Sequence, residues 1–343
     1  MKTCIGWDVG GAHLKAVLLD AQGRVLAVKQ LYCPLWQGLS HLESAVQEVI
    51  TDWQASKHAV TMTGELADIF PNRKYGVEQI VAVMSGLLHG EVLYFSGKQG
   101  LTAAATAKAA WEEVASANWL ASARFVAQHT KNALFVDIGS TTTDILLIHE
   151  GRPMMQGDTD AARMQCDELV YTGVVRTPLM AVAQKIMVNG KLSHVAAEYF
   201  ATTADVYTLT GDLRLEDNLA ASADGADKSE QSCAARIARM VGYDVNEAPL
   251  ADWKKLALEF KQHQIGQIQI AMQHQLSRLS DVTELKIIGA GTGSFLVKEI
   301  ARDLNYSYQD VQDFVIAHTL DLRKMAAVCF PAYAVGFLAL GVH

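Results

Sequence analysis

Two aspartates set the chemical question. Asp8 in CIGWDVGGAHLKAVLLD (residues 4–20) and Asp137 in FVDIGSTTTDILLI (135–148) each close an apolar run, and a glycine follows two residues on. Glycines after a strand let backbone N–H groups turn toward one point, and such a nest binds anions, phosphate above all. Gly10, Gly11 and Gly139 supply the turns, and Ser140, Thr141, Thr142 and Thr143 add hydroxyl donors. A bare carboxylate would repel phosphate. A hydrated Mg²⁺ held by one or two carboxylates reverses the sign, because that ion keeps several waters and takes phosphate oxygens. Asp8 and Asp137 are therefore the candidate metal carboxylates. Lys15, seven residues beyond Asp8, can reach across its hairpin to a phosphate; Asp144, seven beyond Asp137, is placed to orient water or take a proton. An ordinary β-hairpin turn explains either segment alone. The pair, with GAGTGS at 289–294, points to a phosphate-binding cleft.

The elements that position these residues follow from periodicity. Residues 3–9 and 14–20 bracket DVGGAH as a hairpin, and 25–32 add a third strand. Leu39, Leu42, Ala45, Val46, Val49, Ile50 and Trp53 recur at helical spacing over 39–55, and 58–64 returns to a strand. Strand, Asp-x-Gly turn and strand recur around Gly139. This predicts two α/β lobes of related topology, mixed sheets with helices, facing across a cleft. Helices are expected over 76–88, 101–127 and 254–280, a strand–glycine turn–helix over 284–304, and a closing helix over 326–343. The polar stretch 208–230 reads as a loop or lid. The first lobe is expected to take 1–128 with 326–343, the second 129–325 with an insertion near 151–250.

Composition narrows the partners. The 343 residues are half hydrophobic and carry a net charge of −8. No basic stripe or aromatic RNA-binding motif stands out, which argues against nucleic acid. Five widely spaced cysteines without a CxxC pair read as free thiols in a reducing cytoplasm. No signal peptide is evident. No run approaches the roughly 20 apolar residues that span a bilayer. Small-molecule substrates are expected, and homo-oligomerisation stays open.

DVGGAHLKAVL, DIGSTTTDILL, IIGAGTGS and AYAVGFLAL, in this order, resemble the signatures of the actin, sugar-kinase and heat-shock ATPase superfamily. TMTGELAD (61–68), FVDIGSTTTDI, YTGVVRTPL (171–179) and ATTADVY (201–207) look like its hydantoinase/oxoprolinase-related branch. Within that branch they resemble the small proteins linked to tetrahydromethanopterin-dependent one-carbon transfer, whose archaeal members are methanofuran-biosynthesis synthases. The resemblance implies a duplicated, ribonuclease H-like fold with the active site in the interlobe cleft. It also implies a reaction: an aminomethylfuranylmethyl diphosphate is joined to the phenol of γ-glutamyltyramine, and diphosphate is released.

That reaction assigns the remaining polar residues. The phenol, with a pKa of about 10, needs a base or a cationic neighbour, and Asp144 is the carboxylate expected to serve. Glu65 or Asp68 would meet the substrate amine, on one face if TGELAD opens a helix; they could equally complement a helix dipole. Arg163 and Arg176 could clamp a carboxylate or phosphate, or pair on the surface. Thr202, Thr203 and Asp205 offer hydroxyls beside an acid, and Lys228 could close onto an anion from its loop. His263 and His274 are expected to be surface or packed residues. The alternative is an ATP-dependent kinase or oxoprolinase-type ATPase, which needs Gly289, Gly291 and Gly293 to let the nucleotide approach the backbone. A diphosphate-displacing enzyme does not need them for that, so a bulky residue at 291 is expected to act mildly there.

Overall fold

The computed structural model describes residues 3–279 and 284–341. The chain divides into two compact units. Met1–Ala133, Leu146–Ala162 and Asp310–His343 form one; Leu134–Ile145 and Arg163–Gln309 form the other.

The first unit is built on a six-stranded sheet. Its strands are β1 (Cys4–Val9), β2 (His13–Leu19), β3 (Val25–Tyr32), β4 (Lys57–Met62), β5 (Glu91–Ser96) and β6 (Gly100–Thr102), in the order β3-β2-β1-β4-β5-β6. β1 pairs antiparallel with β2 and parallel with β4, so Asp8 stands opposite Lys15 on one side and Thr61 on the other. Every residue of β1 is buried, because helices cover both faces of the sheet. On one face, Trp7, Val9, Val60, Met62 and Tyr94 pack against α1 (Leu39–Asp52) and α2 (Arg73–Leu87).

The expected single helix over 101–127 is instead broken into β6, α3 (Ala104–Ala109), α4 (Trp111–Val114) and α5 (Asn118–His129). The reason is a tertiary anchor. The Glu113 carbonyl takes the Gly97 N–H at 2.8 Å, its carboxylate takes the Ser96 hydroxyl at 2.9 Å, and Ser116 turns left-handed at φ 51°. Alanine-rich composition cannot report such bonds.

A second sheet joins β7 (Ala133–Ile138), β8 (Thr143–His149), β10 (Leu169–Val170), β13 (Lys286–Ala290) and β14 (Ser307–Asp310) in the order β10-β8-β7-β13-β14, with β9 (Arg152–Pro153) on β8; the end of β8 and β9 group with the first unit, most of the rest with the second. Around it stand α6 (Asp160–Gln165), α7 (Leu179–Val182), a hairpin of β11 (Lys185–Val188) and β12 (Lys191–His194), α8 (Thr203–Thr210), α9 (Glu230–Arg239), the long α10 (Leu250–Leu276) and α11 (Ser294–Asp303). Residues 280 and 342–343, which two of the helix expectations reach, lie outside the described residues.

The chain closes with α12 (Leu320–Val328) and α13 (Phe330–Leu340). Residues 310–325 group with the first unit because Val25 N–H donates to the Ile316 carbonyl at 2.8 Å and α12 packs on β3. α13 lies on β1 so closely that a Cβ at Gly6 would overlap the Ala332 carbonyl oxygen. Phe125 of α5 meets Phe330, Tyr333 and Phe337 edge-on, with centroids 5.0 to 5.5 Å away. Among the described residues, no single helix is long and apolar enough to cross a membrane. Gly6→Ala is therefore expected to destabilise the first unit by about 3 kcal/mol or more through overpacking against rigid backbone. A calorimetric melting temperature indistinguishable from wild type would refute this.

Candidate active site

The first loop is a backbone turn. Gly10 N–H donates to the His13 carbonyl at 3.0 Å, and residues 33–35 brace it, with Cys33 N–H on the Ala12 carbonyl (2.9 Å) and Leu35 N–H on that of Gly11 (3.0 Å). Nothing lies within 4 Å of where a Gly11 Cβ would point, so that glycine faces open space. Asp8 is buried at the strand end, 4.0 Å from the Lys15 ammonium and 3.5 Å from the Asn118 amide. Lys15 also donates to the Val328 carbonyl at 3.4 Å.

Glu65 and Asp68 do not share a helix face. TGELAD forms a single 3-10 turn, Gly64–Leu66, that leaves Glu65 only 1% exposed and Asp68 exposed. A Cβ on Gly64 would sit 3.1 and 3.2 Å from the Val9 and Gly10 carbonyls, so the turn rests on the first loop's backbone. Gly76 of α2 gives Glu65 its room, since a Cβ there would lie 2.6 Å from the Glu65 carbonyl. Ser116 donates to Glu65 Oε1 at 2.8 Å and lies 3.3 Å from Asp160, which Arg73 pairs at 2.7 Å. Oε2 of Glu65 is buried without a hydrogen-bond partner among the described residues. Burial pushes this carboxyl up to about 7, with the Ser116 hydrogen bond opposing the rise.

The second loop repeats the turn. Gly139 N–H donates to the Thr142 carbonyl at 2.9 Å. Its cradle is the 172–177 segment. Val174 N–H donates to the Gly139 carbonyl (3.0 Å), and Val175 and Arg176 N–H both donate to that of Ser140 (3.1 and 2.9 Å). A Cβ on Gly173 would sit 2.5 Å from Thr141 N. Sequence reading assigned Gly173 no role, although a glycine amid Tyr171, Val174 and Val175 was a signal of close backbone approach.

The third glycine loop closes the same cradle. Gly291 adopts φ 78°, and a Cβ on it would overlap Asp137 Oδ1 and the Ile138 carbonyl; one on Gly293 would overlap Ile138. A Cβ on Gly289 would lie 2.7 Å from the Tyr308 hydroxyl. The expectation that a bulky residue at 291 acts mildly is thus corrected. Gly291 and Gly293 make room for the protein's own Asp137 and Ile138, and Gly289 for Tyr308, whatever ligand binds.

Asp144 faces Arg163, which is 1% exposed and donates to it at 2.9 Å and to the Glu168 carbonyl at 2.9 Å. This ion pair commits the carboxylate to Arg163, a poor arrangement for a base. Thr202, Thr203 and Asp205 are buried and engaged in the fold. Asp205 accepts the Thr202 N–H at 2.9 Å in a capping box and pairs with buried Arg236 at 2.8 Å, while Thr203 donates to the Gly173 carbonyl at 2.8 Å. Arg176 has its side chain exposed beside the second loop. Lys228 donates to the Asn218 carbonyl within its own loop. His263 is exposed, and His274 meets Asp167 at 2.7 Å on the surface.

Two hydroxyls test whether the loops fit an anion and its hydrated cation. Thr61 Oγ1, beside Asp8 on β4, and Ser140 Oγ, in the second loop, are buried and have no hydrogen-bond partner among the described residues. Buried polar atoms are normally satisfied, so an oxygen-rich ligand fits each loop. No cluster of three or more His, Cys, Asp or Glu side chains that could hold a metal occurs among the described residues.

Residues 56–318 match the hydantoinase/oxoprolinase family. The chain belongs to that family. A relative from Methanocaldococcus jannaschii is named (4-{4-[2-(gamma-L-glutamylamino)ethyl]phenoxymethyl}furan-2-yl)methanamine synthase. It is 34% identical over 241 residues, covering 70% of this chain and 72% of the relative. A protein of the same name from Methanococcus vannielii is 31% identical over 187 residues, 54% of this chain and 82% of that one. Among solved structures, nucleotide-free acetone carboxylase aligns with 97% of this chain and 70% of that chain at a TM-score of 0.57 and 11% identity, a likeness of fold.

Two outcomes follow for this hydantoinase/oxoprolinase member. Gly11→Ala should leave the melting temperature unchanged, while Gly291→Ala should lower stability by about 1–3 kcal/mol through strain and displacement of Asp137. A thermal scan of both variants checks this, and equal stability for the two would contradict the packing. Glu65 gives the second. Its neutral form is favoured by folding, so its contribution to stability is complete below the ordinary carboxyl value of 4.5 and is lost as pH rises through about 7. The loss amounts to about 3 kcal/mol at most. Glu65→Gln should therefore flatten melting temperature against pH between those limits; an unchanged slope would place the titration elsewhere.

Proposed function

We propose that this chain is a transferase that joins an aminomethylfuranylmethyl diphosphate to the phenol oxygen of a γ-glutamyltyramine-like or tyrosine-derived acceptor, releasing diphosphate in methanofuran biosynthesis. The observation that carries the reading is the 34% identity, over 72% of its length, to a protein named for a phenoxymethylfuran product. The ether in that name is the bond such a transfer makes. The carbon–oxygen bond to diphosphate breaks, the phenol oxygen takes the carbon, and the phenol proton passes to a base.

The residues support this division of labour. Gly10, Gly11 and Lys15 would receive phosphate oxygens in the first loop, and Gly139 with Ser140 to Thr143 in the second. Positioning and charge neutralisation suffice when the leaving group departs with its electron pair. Mg²⁺, when bound, would neutralise diphosphate charge beside Asp8 or Asp137. Glu65 is a better proton acceptor than Asp144. Burial raises its carboxyl to about 7 and its Oε2 has no hydrogen-bond partner among the described residues, whereas Asp144 is committed to Arg163. The ATP-dependent alternative drew on GAGTGS, and the packing of Gly291 and Gly293 on 137–138 accounts for those glycines without a nucleotide.

Incubation with the furan diphosphate, Mg²⁺ and γ-glutamyltyramine, tyramine or tyrosine, with ATP in parallel, tests the proposal. Ether formation matched by diphosphate release is expected; ADP release without ether would favour the ATPase. Asp137→Asn should lower turnover by roughly 100-fold with little change in melting temperature. Normal turnover in that variant at ordinary Mg²⁺ would sink the metal role.

A further inference from the structure

A pocket lies in the first unit. It has a volume of about 350 Å³ and is lined by Phe95, Leu101, Arg124, Gln128, Pro153 and Leu338, among others. This is within the size range of small-molecule sites. Its walls come from β5, β6, α5, β9 and α13. Gln128 lies ten residues along α5 from Asn118, the residue that meets Asp8. At 1.5 Å per residue, that sets it about 15 Å from the first loop along the helix.

Arg124 is the chemically unusual wall. Its guanidinium sits 5.4 Å from the Phe95 ring centroid and donates one N–H to the Gly97 carbonyl at the β5–β6 turn. Among the described residues no carboxylate pairs with it, in contrast to buried Arg163, which meets Asp144, and Arg236, which meets both Asp205 and Asp224. Burial alone pulls its pKa down, with no acidic neighbour opposing. A half-buried cation without a counter-ion is costly, and Arg124 lines a pocket in which Phe95, Leu101, Pro153 and Leu338 give an apolar wall and Gln128 a polar one.

We propose that this pocket binds a small monocarboxylate with an apolar body, its carboxylate on Arg124 and its body against Leu101, Pro153 and Leu338. One guanidinium matches one carboxylate in a bidentate fork. A single guanidinium, with no second cation among the described lining residues, disfavours a polyanion such as diphosphate. The site is separate from the glycine-turn loops, and α5 links the two, since Arg124 and Asn118 lie on that helix.

Sodium benzoate is the probe and benzamide, its uncharged isostere, the control. Ligand-observed NMR with the full chain should give benzoate binding that benzamide does not share. Arg124→Gln should weaken it by about 10-fold or more, the equivalent of about 1.4 kcal/mol. Should Arg124→Gln fail to fold, Gln128→Trp serves instead. Gln128 is exposed, so an indole there should cover the mouth without disturbing the core. It should abolish benzoate binding and leave the melting temperature unchanged. Equal binding of benzoate and benzamide, undiminished binding in either variant, or no benzoate binding to the folded chain would overturn the proposal.

Discussion

The absence of a Cβ at a few glycines is the constraint on which both loops depend. In the second unit, Gly173, Gly291 and Gly293 let three backbone segments meet around 137–141 with no side chain between them. In the first, Gly64 rests on the carbonyls of Val9 and Gly10, and Gly6 lets α13 lie on β1. Backbone packed this closely is rigid, and a rigid turn can hold its N–H groups aimed at an anion before the anion arrives. The ordering cost is met during folding, not during binding.

The duplication is one of backbone, not of charge. Gly10 N–H to His13 and Gly139 N–H to Thr142 are the same turn. Seven residues beyond each aspartate, however, the first hairpin carries Lys15 and the second Asp144. The second unit supplies its positive charge from another element, through Arg163 beside Asp144. Buried ion pairs recur in this unit, since Arg236 ties Asp205 at the start of α8 to Asp224 in the polar loop at 2.8 and 3.0 Å. Breaking such a pair strands a buried charge, typically at about 3–5 kcal/mol. That loop is thus fastened at one point at least, and Lys228 is spent on the Asn218 carbonyl of the same loop.

Sequence alone determined the strand–turn–strand pairs, the helix over 39–55 and the glycine turn at 289–294. Each is a local pattern: alternation or runs of apolar residues, helical spacing, and glycines where the backbone must turn. Membership of the hydantoinase/oxoprolinase family was legible for the same reason, because its signatures are these turns. The long alanine-rich helix was misread, since its breaks come from bonds between Glu113 and the β5–β6 turn. Only the tertiary structure decided the ranking of carboxylates. Glu65 and Asp68 look alike in TGELAD, yet one is sealed beneath α2 and titrates near neutrality while the other is in water. Asp144 looked like a free base until Arg163, nineteen residues on, was placed against it. Asp205 looked like a ligand until it proved to be a helix cap. Burial and charge pairing set what a carboxylate can do, and both are made by residues distant in sequence, so no local pattern carries them.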